Sequence, residues 1–143
     1  MIVYAESSAV LRWLFNEAGG AEILDQLRDA EKVVCSRLTL IESRRAILRA
    51  VTTKCIRETE AAELRAALSQ AAARWALLEI SPEVAARAEQ SFPAEPVRTL
   101  DAFHLASALL LREALPALAL ASTNDRVREN ATLLGFEILP DSS

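Results

Sequence analysis

Lysine is nearly missing from this chain. Of 16 cationic residues only Lys32 and Lys54 are lysines, and 20 acids outweigh the total to a net charge of −4 and a pI near 5.1. A broadly basic coat for nucleic acid is therefore excluded, and such a partner must be held by a local patch or through a metal ion. That bias towards arginine is what genome composition alone would give, and it also supplies forks suited to phosphate. Cysteine is equally scarce: Cys35 and Cys55 lie far apart and form no CxxC, so two ordinary thiols in a reducing compartment are expected. The single histidine, His104, excludes a histidine-rich zinc site, and a Ser-His-Asp hydrolase would need a glycine-flanked nucleophile turn that three glycines do not provide. No run approaches 18 uncharged apolar residues, and no basic stretch precedes the short apolar start, so a soluble, cytoplasmic protein with no membrane partner is expected. Repeats, low-complexity tracts and long linkers are absent too.

What is present is aliphatic. Hydrophobic residues make up 52% of the chain and aromatics only 5%, and 143 residues suffice for one domain, 1–143, with one substantial core. Apolar runs of strand length alternate with longer stretches at helical period, which predicts an α/β fold: a three-layer α/β/α sandwich around a mainly parallel sheet. Strands are expected at Ile2–Ala5, Lys32–Cys35, Leu77–Ile80, Leu118–Ala121 and Phe136–Leu139. Between them SSAVLRWLFN reads as a helix capped by Ser7 or Ser8, and Gly19-Gly20 separates it from AEILDQLRDA. SRLTLIESRRAILRAV and RETEAAELRAALSQAAARW follow as two longer helices, a candidate hairpin. SPEVAARAEQSF starts at Ser81 with Pro82 in the first turn, TLDAFHLASALLLREA follows, and STNDRVRENATLLG begins at a cap formed by Thr123 or Asn124.

Ligands of open parallel sheets bind beyond the carboxyl ends of the strands, and four acids fall where side chains can reach such a crevice. Glu6 ends the first strand, Glu42 lies one to two turns into the helix after the second, Asp101 is in the first turn of its helix, and Asp125 follows the fourth strand. Each has an ordinary alternative, since acids in a first turn complement the helix dipole and Glu42 also suits a solvated helix face. Together they point to a hard, oxygen-seeking cation that relieves their mutual repulsion, Mg²⁺ or Mn²⁺. Such an ion brings phosphodiester cleavage within reach.

In order along the chain, VYAESSAVLRWL, SRLTLIESRRAI, RTLDAFHLASAL and STNDRVRENATLLGFEIL resemble the four signatures of PIN-domain ribonucleases, and among these the VapC-type toxins of toxin–antitoxin pairs. The likeness covers nearly the whole chain, with LDAFHLASAL its most specific part. It implies a sheet sandwiched by helices, carboxylate-bound Mg²⁺ or Mn²⁺, endonucleolytic RNA cleavage, a homodimer and a cognate antitoxin. Carried over, the family's acids fall on Glu6, Glu42, Asp101 and Asp125, both as catalytic residues and as metal ligands. Glu6 departs from the pattern, because aspartate is usual there; the extra methylene moves the carboxylate outward and favours a shifted or water-mediated ion, or the more tolerant Mn²⁺. Ser7, Thr123 and Asn124 are placed to orient the acids or a metal-bound water, or simply to cap helices. His104, one turn after Asp101, is read as a buried packing residue. Arg37, Arg44 and Arg45, with Arg49, flank Glu42 and are candidate RNA contacts, or a solvated face.

The leading expectation is a metal-dependent endoribonuclease acting as a toxin. The alternative is a binding module of the same fold, weakened by Glu6 and working through antitoxin and operator regulation. A response-regulator receiver ranks below both, since neither lysine occupies the late strand end that its chemistry requires. The apolar surplus of the segment from Leu38 to Trp75 marks it as the expected partner surface.

Overall fold

A computed structural model describes residues 1–141. Five parallel strands form one sheet: β1 (Ile2–Ala5), β2 (Lys32–Ser36), β3 (Ala76–Leu78), β4 (Ala119–Ala121) and β5 (Glu137–Leu139), in the spatial order β3-β2-β1-β4-β5. Val3 pairs with Val33 on one side and Ala119 on the other, which leaves β1 central and Val3, Tyr4 and Ala5 fully buried.

The strand period of two divides the apolar residues between two cores. Val3, Ala5, Val33, Cys35, Ala119 and Ala121 face one layer, made of α1 (Ser7–Leu14), α2 (Gly20–Asp29), α3 (Arg37–Thr52) and α4 (Glu58–Ala72). Tyr4, Val34 and Leu120 face the other, made of α5 (Pro82–Ala88), α6 (Thr99–Ala114) and α7 (Asp125–Leu133). This is the expected three-layer α/β/α arrangement. Ile47, Ala61 and Leu68 bring α3 and α4 onto a common core, as the hairpin reading anticipated.

Some boundaries and caps differ from the sequence reading, for local reasons. β3 ends at Leu78, and Ile80 is exposed, because β2 stops at Ser36 to cap α3 and offers no further partner. The cap of α1 is neither Ser7 nor Ser8: Glu6 occupies that place, its carboxylate accepting from the Ser8 backbone N–H. Between Thr123 and Asn124 the cap of α7 is Asn124, whose Oδ1 accepts from the N–H groups of Arg126 and Val127. Gly20 does more than interrupt, since a Cβ there would stand 2.4 Å from the carbonyl oxygen of Arg12 where α2 crosses α1.

The chain runs outward from β1 through β2 to β3, then crosses back to β4 on the other side of β1. The sheet thus has its topological switch between β1 and β4, where a crevice opens at the carboxyl ends.

Candidate active site

Glu42 projects from α3 towards that crevice and is fixed by two donors on one oxygen. Ser7 Oγ donates to Glu42 Oε1 at 2.7 Å, and His104 Nε2 lies 2.6 Å from the same atom. The other ring nitrogen of His104 meets the Tyr4 hydroxyl at 2.7 Å, and that hydroxyl accepts from the Ser36 backbone N–H at 3.3 Å. With Tyr4 donating to Nδ1, the bond pattern assigns the ring proton to Nε2, where it serves Glu42. Tyr4 and His104 are fully buried and meet edge to face at 77°. Burial by itself would raise the Glu42 carboxyl, but the hydrogen bonds from His104 and Ser7 outweigh it and hold the group below its usual range. His104 is therefore the packed residue expected, with the added task of orienting an acid at the site.

Asp101 enters from the first turn of α6, half-buried. Burial and the negative charge of Glu6 push its carboxyl up, with Glu42 adding to the rise and the bond from Asn124 offsetting part of it. Asn124 Nδ2 spans both Asp101 oxygens at 3.3 and 3.4 Å while Oδ1 caps α7, so capping and contact with the acid are simultaneous. The fold thus brings Glu6 and Glu42 within electrostatic reach of Asp101. Asp125, one residue beyond the cap, is exposed at the start of α7, and its carboxylate makes no hydrogen bond or ion pair among the described residues.

Glu6 is the least exposed of the acids at 3%. Its Oε1 accepts from the hydroxyls of Ser8 and Ser122, and Oε2 from the Ser8 N–H. Thr123 takes part through its backbone, whose N–H donates to Ser8 Oγ at 2.8 Å. The arginines of α3 are largely engaged elsewhere or face solvent: Arg37 forks onto Glu79, Arg44 reaches Ser69, and Arg45 is exposed. Beside Asp101 a cleft of about 410 Å³ is lined by Pro96, Val97, Arg98, Asp101, Asn124 and Arg126.

Several contributors escaped the sequence reading. Tyr4, Ser8 and Ser122 carry the site's hydrogen bonds, and Arg128 braces the β4–α7 junction through the carbonyls of Ser122, Leu139 and Pro140. A lone tyrosine inside an aliphatic strand was the one available signal, since a buried phenol needs a partner.

Among the described residues no three His, Cys, Asp or Glu side chains form a ready-made metal cage. Two carboxylates nevertheless keep unspent oxygens, Oε2 of Glu42 and the weakly bonded pair of Asp101, and the charge of Glu42 adds to the rise of Asp101. One or two carboxylates completed by water is the donor set that Mg²⁺ accepts, so the residues fit a hydrated hard cation.

The PIN domain family matches residues 3–134. Ribonuclease VapC35 of Mycobacterium tuberculosis is 29% identical over 140 residues, which cover 96% of each chain. Two solved structures share the fold at low identity. A toxin–antitoxin complex from Klebsiella pneumoniae aligns over 99% of both chains with a TM-score of 0.65 and 17% identity. VapBC2 from Rickettsia felis, bound to a DNA fragment from its promoter, covers 96% of this chain and 97% of its own, with a TM-score of 0.63 and 11% identity. The match of the family across most of the chain, on a parallel sheet with acids gathered at its switch point, places this protein in the PIN domain family.

Proposed function

We propose that this chain is an Mg²⁺- or Mn²⁺-dependent endoribonuclease acting in the cytoplasm as the toxin of a toxin–antitoxin pair. The observation that carries the reading is that Ser7 and His104 hold Glu42 while Asn124 meets Asp101, beyond the carboxyl ends of the central strands, with the Asp101 carboxyl pushed up by burial and by its acidic neighbours. Asp101 and Oε2 of Glu42 would hold the ion, with Asp125 left at the rim. A bound ion there supplies an activated water and stabilises phosphodiester oxyanions. Ser7 and His104 keep the Glu42 carboxylate turned so that Oε1 is spent and Oε2 is free, and Asn124 holds Asp101. Arg98 and Arg126, rather than the arginines of α3, line the cleft beside Asp101 and are placed to grip the RNA backbone.

The likeness to toxin–antitoxin complexes supports an antitoxin partner. A groove of about 750 Å³ beside α1, α2 and α4, walled by the apolar Trp13, Leu24 and Trp75 and by the charged Arg28, Glu31 and Arg74, suits an amphipathic segment of that partner. Ile41 and Leu48, about half exposed and two turns apart on α3, offer a face for a second copy in a homodimer.

One observation favours the alternative of a catalytically weakened binding module: the carboxylate of Glu6 is already bonded to Ser8 and Ser122. Incubating the purified chain with structured RNA separates the two. The nuclease reading expects cleavage that chelator abolishes, Mn²⁺ restores and Asp101→Asn eliminates. Mn²⁺ binding without any cleavage would replace it with the binding module.

A further inference from the structure

Glu6 stands where aspartate is usual in this family, and its side chain is engaged unlike those of the other acids. Three of the roughly four acceptor positions on its carboxylate are occupied, by Ser8 N–H at 2.9 Å and by the hydroxyls of Ser8 and Ser122. Each hydroxyl has a single proton and gives it to Glu6. Each then accepts a backbone N–H from the β4–α7 loop, Ser8 Oγ from Thr123 at 2.8 Å and Ser122 Oγ from Asn124 at 3.1 Å. Every donor in this set thus has an acceptor within it, and the two hydroxyls, 3.2 Å apart, need not bond to each other. One buried carboxylate therefore fastens the start of α1 to the loop that carries Asn124, and Asn124 in turn contacts Asp101.

We infer that Glu6 is a positioning residue, a clamp between the β1–α1 and β4–α7 junctions that sets Asn124 over Asp101, and not a ligand of the metal. Glutamate is required for this task by length. Aspartate would withdraw the carboxylate by about one C–C bond, 1.5 Å, and lose Ser122 on the neighbouring strand end. A ligand needing only negative charge would tolerate that change or gain from it. The inference rests on the proposed metal site for one arm of its test, and the other arms are independent of metal.

The full chain, Glu6→Asp, Ser122→Ala and the double variant are compared. Thermal melts in chelator report the clamp, the side-chain amide NMR signals of Asn124 report the loop, and electron paramagnetic resonance of free Mn²⁺ reports binding. The clamp expects both single variants to melt roughly 5 °C lower, to shift the Asn124 amide alike, and to weaken Mn²⁺ binding about tenfold, as loss of a residue that orients a ligand does. Their losses should be far from additive in the double variant. Glu6→Asp with wild-type melting and equal or tighter Mn²⁺ binding, beside a silent Ser122→Ala, would overturn the inference, and so would additive losses. If the wild-type chain binds no Mn²⁺, the metal reading fails while the melts and the amide signals still decide the clamp.

Discussion

Removing His104 should cost this protein more than any other single change at the site, in a way that depends on pH. The ring is fully buried and makes three polar contacts: Tyr4 Oη at 2.7 Å, Ser7 Oγ at 3.0 Å and Glu42 Oε1 at 2.6 Å. His104→Ala deletes a hydrogen bond to a carboxylate, about 1.5–3 kcal/mol, and leaves the proton of the buried Tyr4 hydroxyl without its acceptor, roughly another 1–3 kcal/mol. A total near 3–5 kcal/mol corresponds to a fall of about 10–15 °C in Tm for a chain of this size.

The pH dependence follows from Glu42. Its folded-state pKa lies below the ordinary value of 4.5, because the bonds from His104 and Ser7 outweigh burial. The stability that this shift contributes is present above the unfolded value and disappears as pH falls through the folded one. Circular dichroism melts should therefore show the gap between wild type and His104→Ala widest near neutrality and narrowing in acid below the usual glutamate range. Tyr4→Phe, which leaves the bond to Glu42 in place, should lose about 1–2 kcal/mol with little change across the same interval. A His104→Ala protein melting within about 3 °C of wild type, or a gap that does not narrow in acid, would refute the assignment of His104 as the support of Glu42.

Asp101→Asn should raise the chelator Tm at pH 7. The folded-state pKa of Asp101 is raised by burial and by Glu6, so the stability associated with its neutral form is complete below the ordinary 3.8 and lost as pH rises through the folded value; melts of both proteins should converge in strong acid. Arg98→Ala and Arg126→Ala should each reduce the slope of log affinity for single-stranded RNA against log salt by about 0.7, while Arg37→Ala, whose guanidinium is held by Glu79, should leave the slope unchanged. Fluorescence anisotropy titrations at several salt concentrations check this pair.

All five strands were legible because each is an apolar run bounded by turn or cap residues, whereas the division of their side chains between two core layers emerges only in the structure. The third strand was placed late because the run ALLEI looks continuous, whereas its length is set by the neighbour it pairs with. β2 ends at Ser36 to begin α3, and Glu79 and Ile80 are left without a ladder. Such a limit belongs to the sheet and is not written in the strand that obeys it.

The site was legible to a different degree. Proximity to strand ends is a property of topology, so Glu6, Glu42 and Asp101 could be placed near one another from their order in the chain alone. Which oxygens remain available is a property of neighbours more than a hundred residues away, as with Ser122 on Glu6, and spacing is blind to it. Asn124 and Asp125 show the same limit at its shortest range. Adjacent in sequence, they differ by one step across a helix boundary: Asn124 is the cap, with its side chain turned back towards α6, and Asp125 is the first helical residue, facing water. A cap must fold its side chain over the end of its own helix to reach the free N–H groups, and that same turn brings Asn124 to Asp101. The residue that meets the acid was therefore decided by where α7 begins, a boundary that sequence reading locates only to within a residue or two.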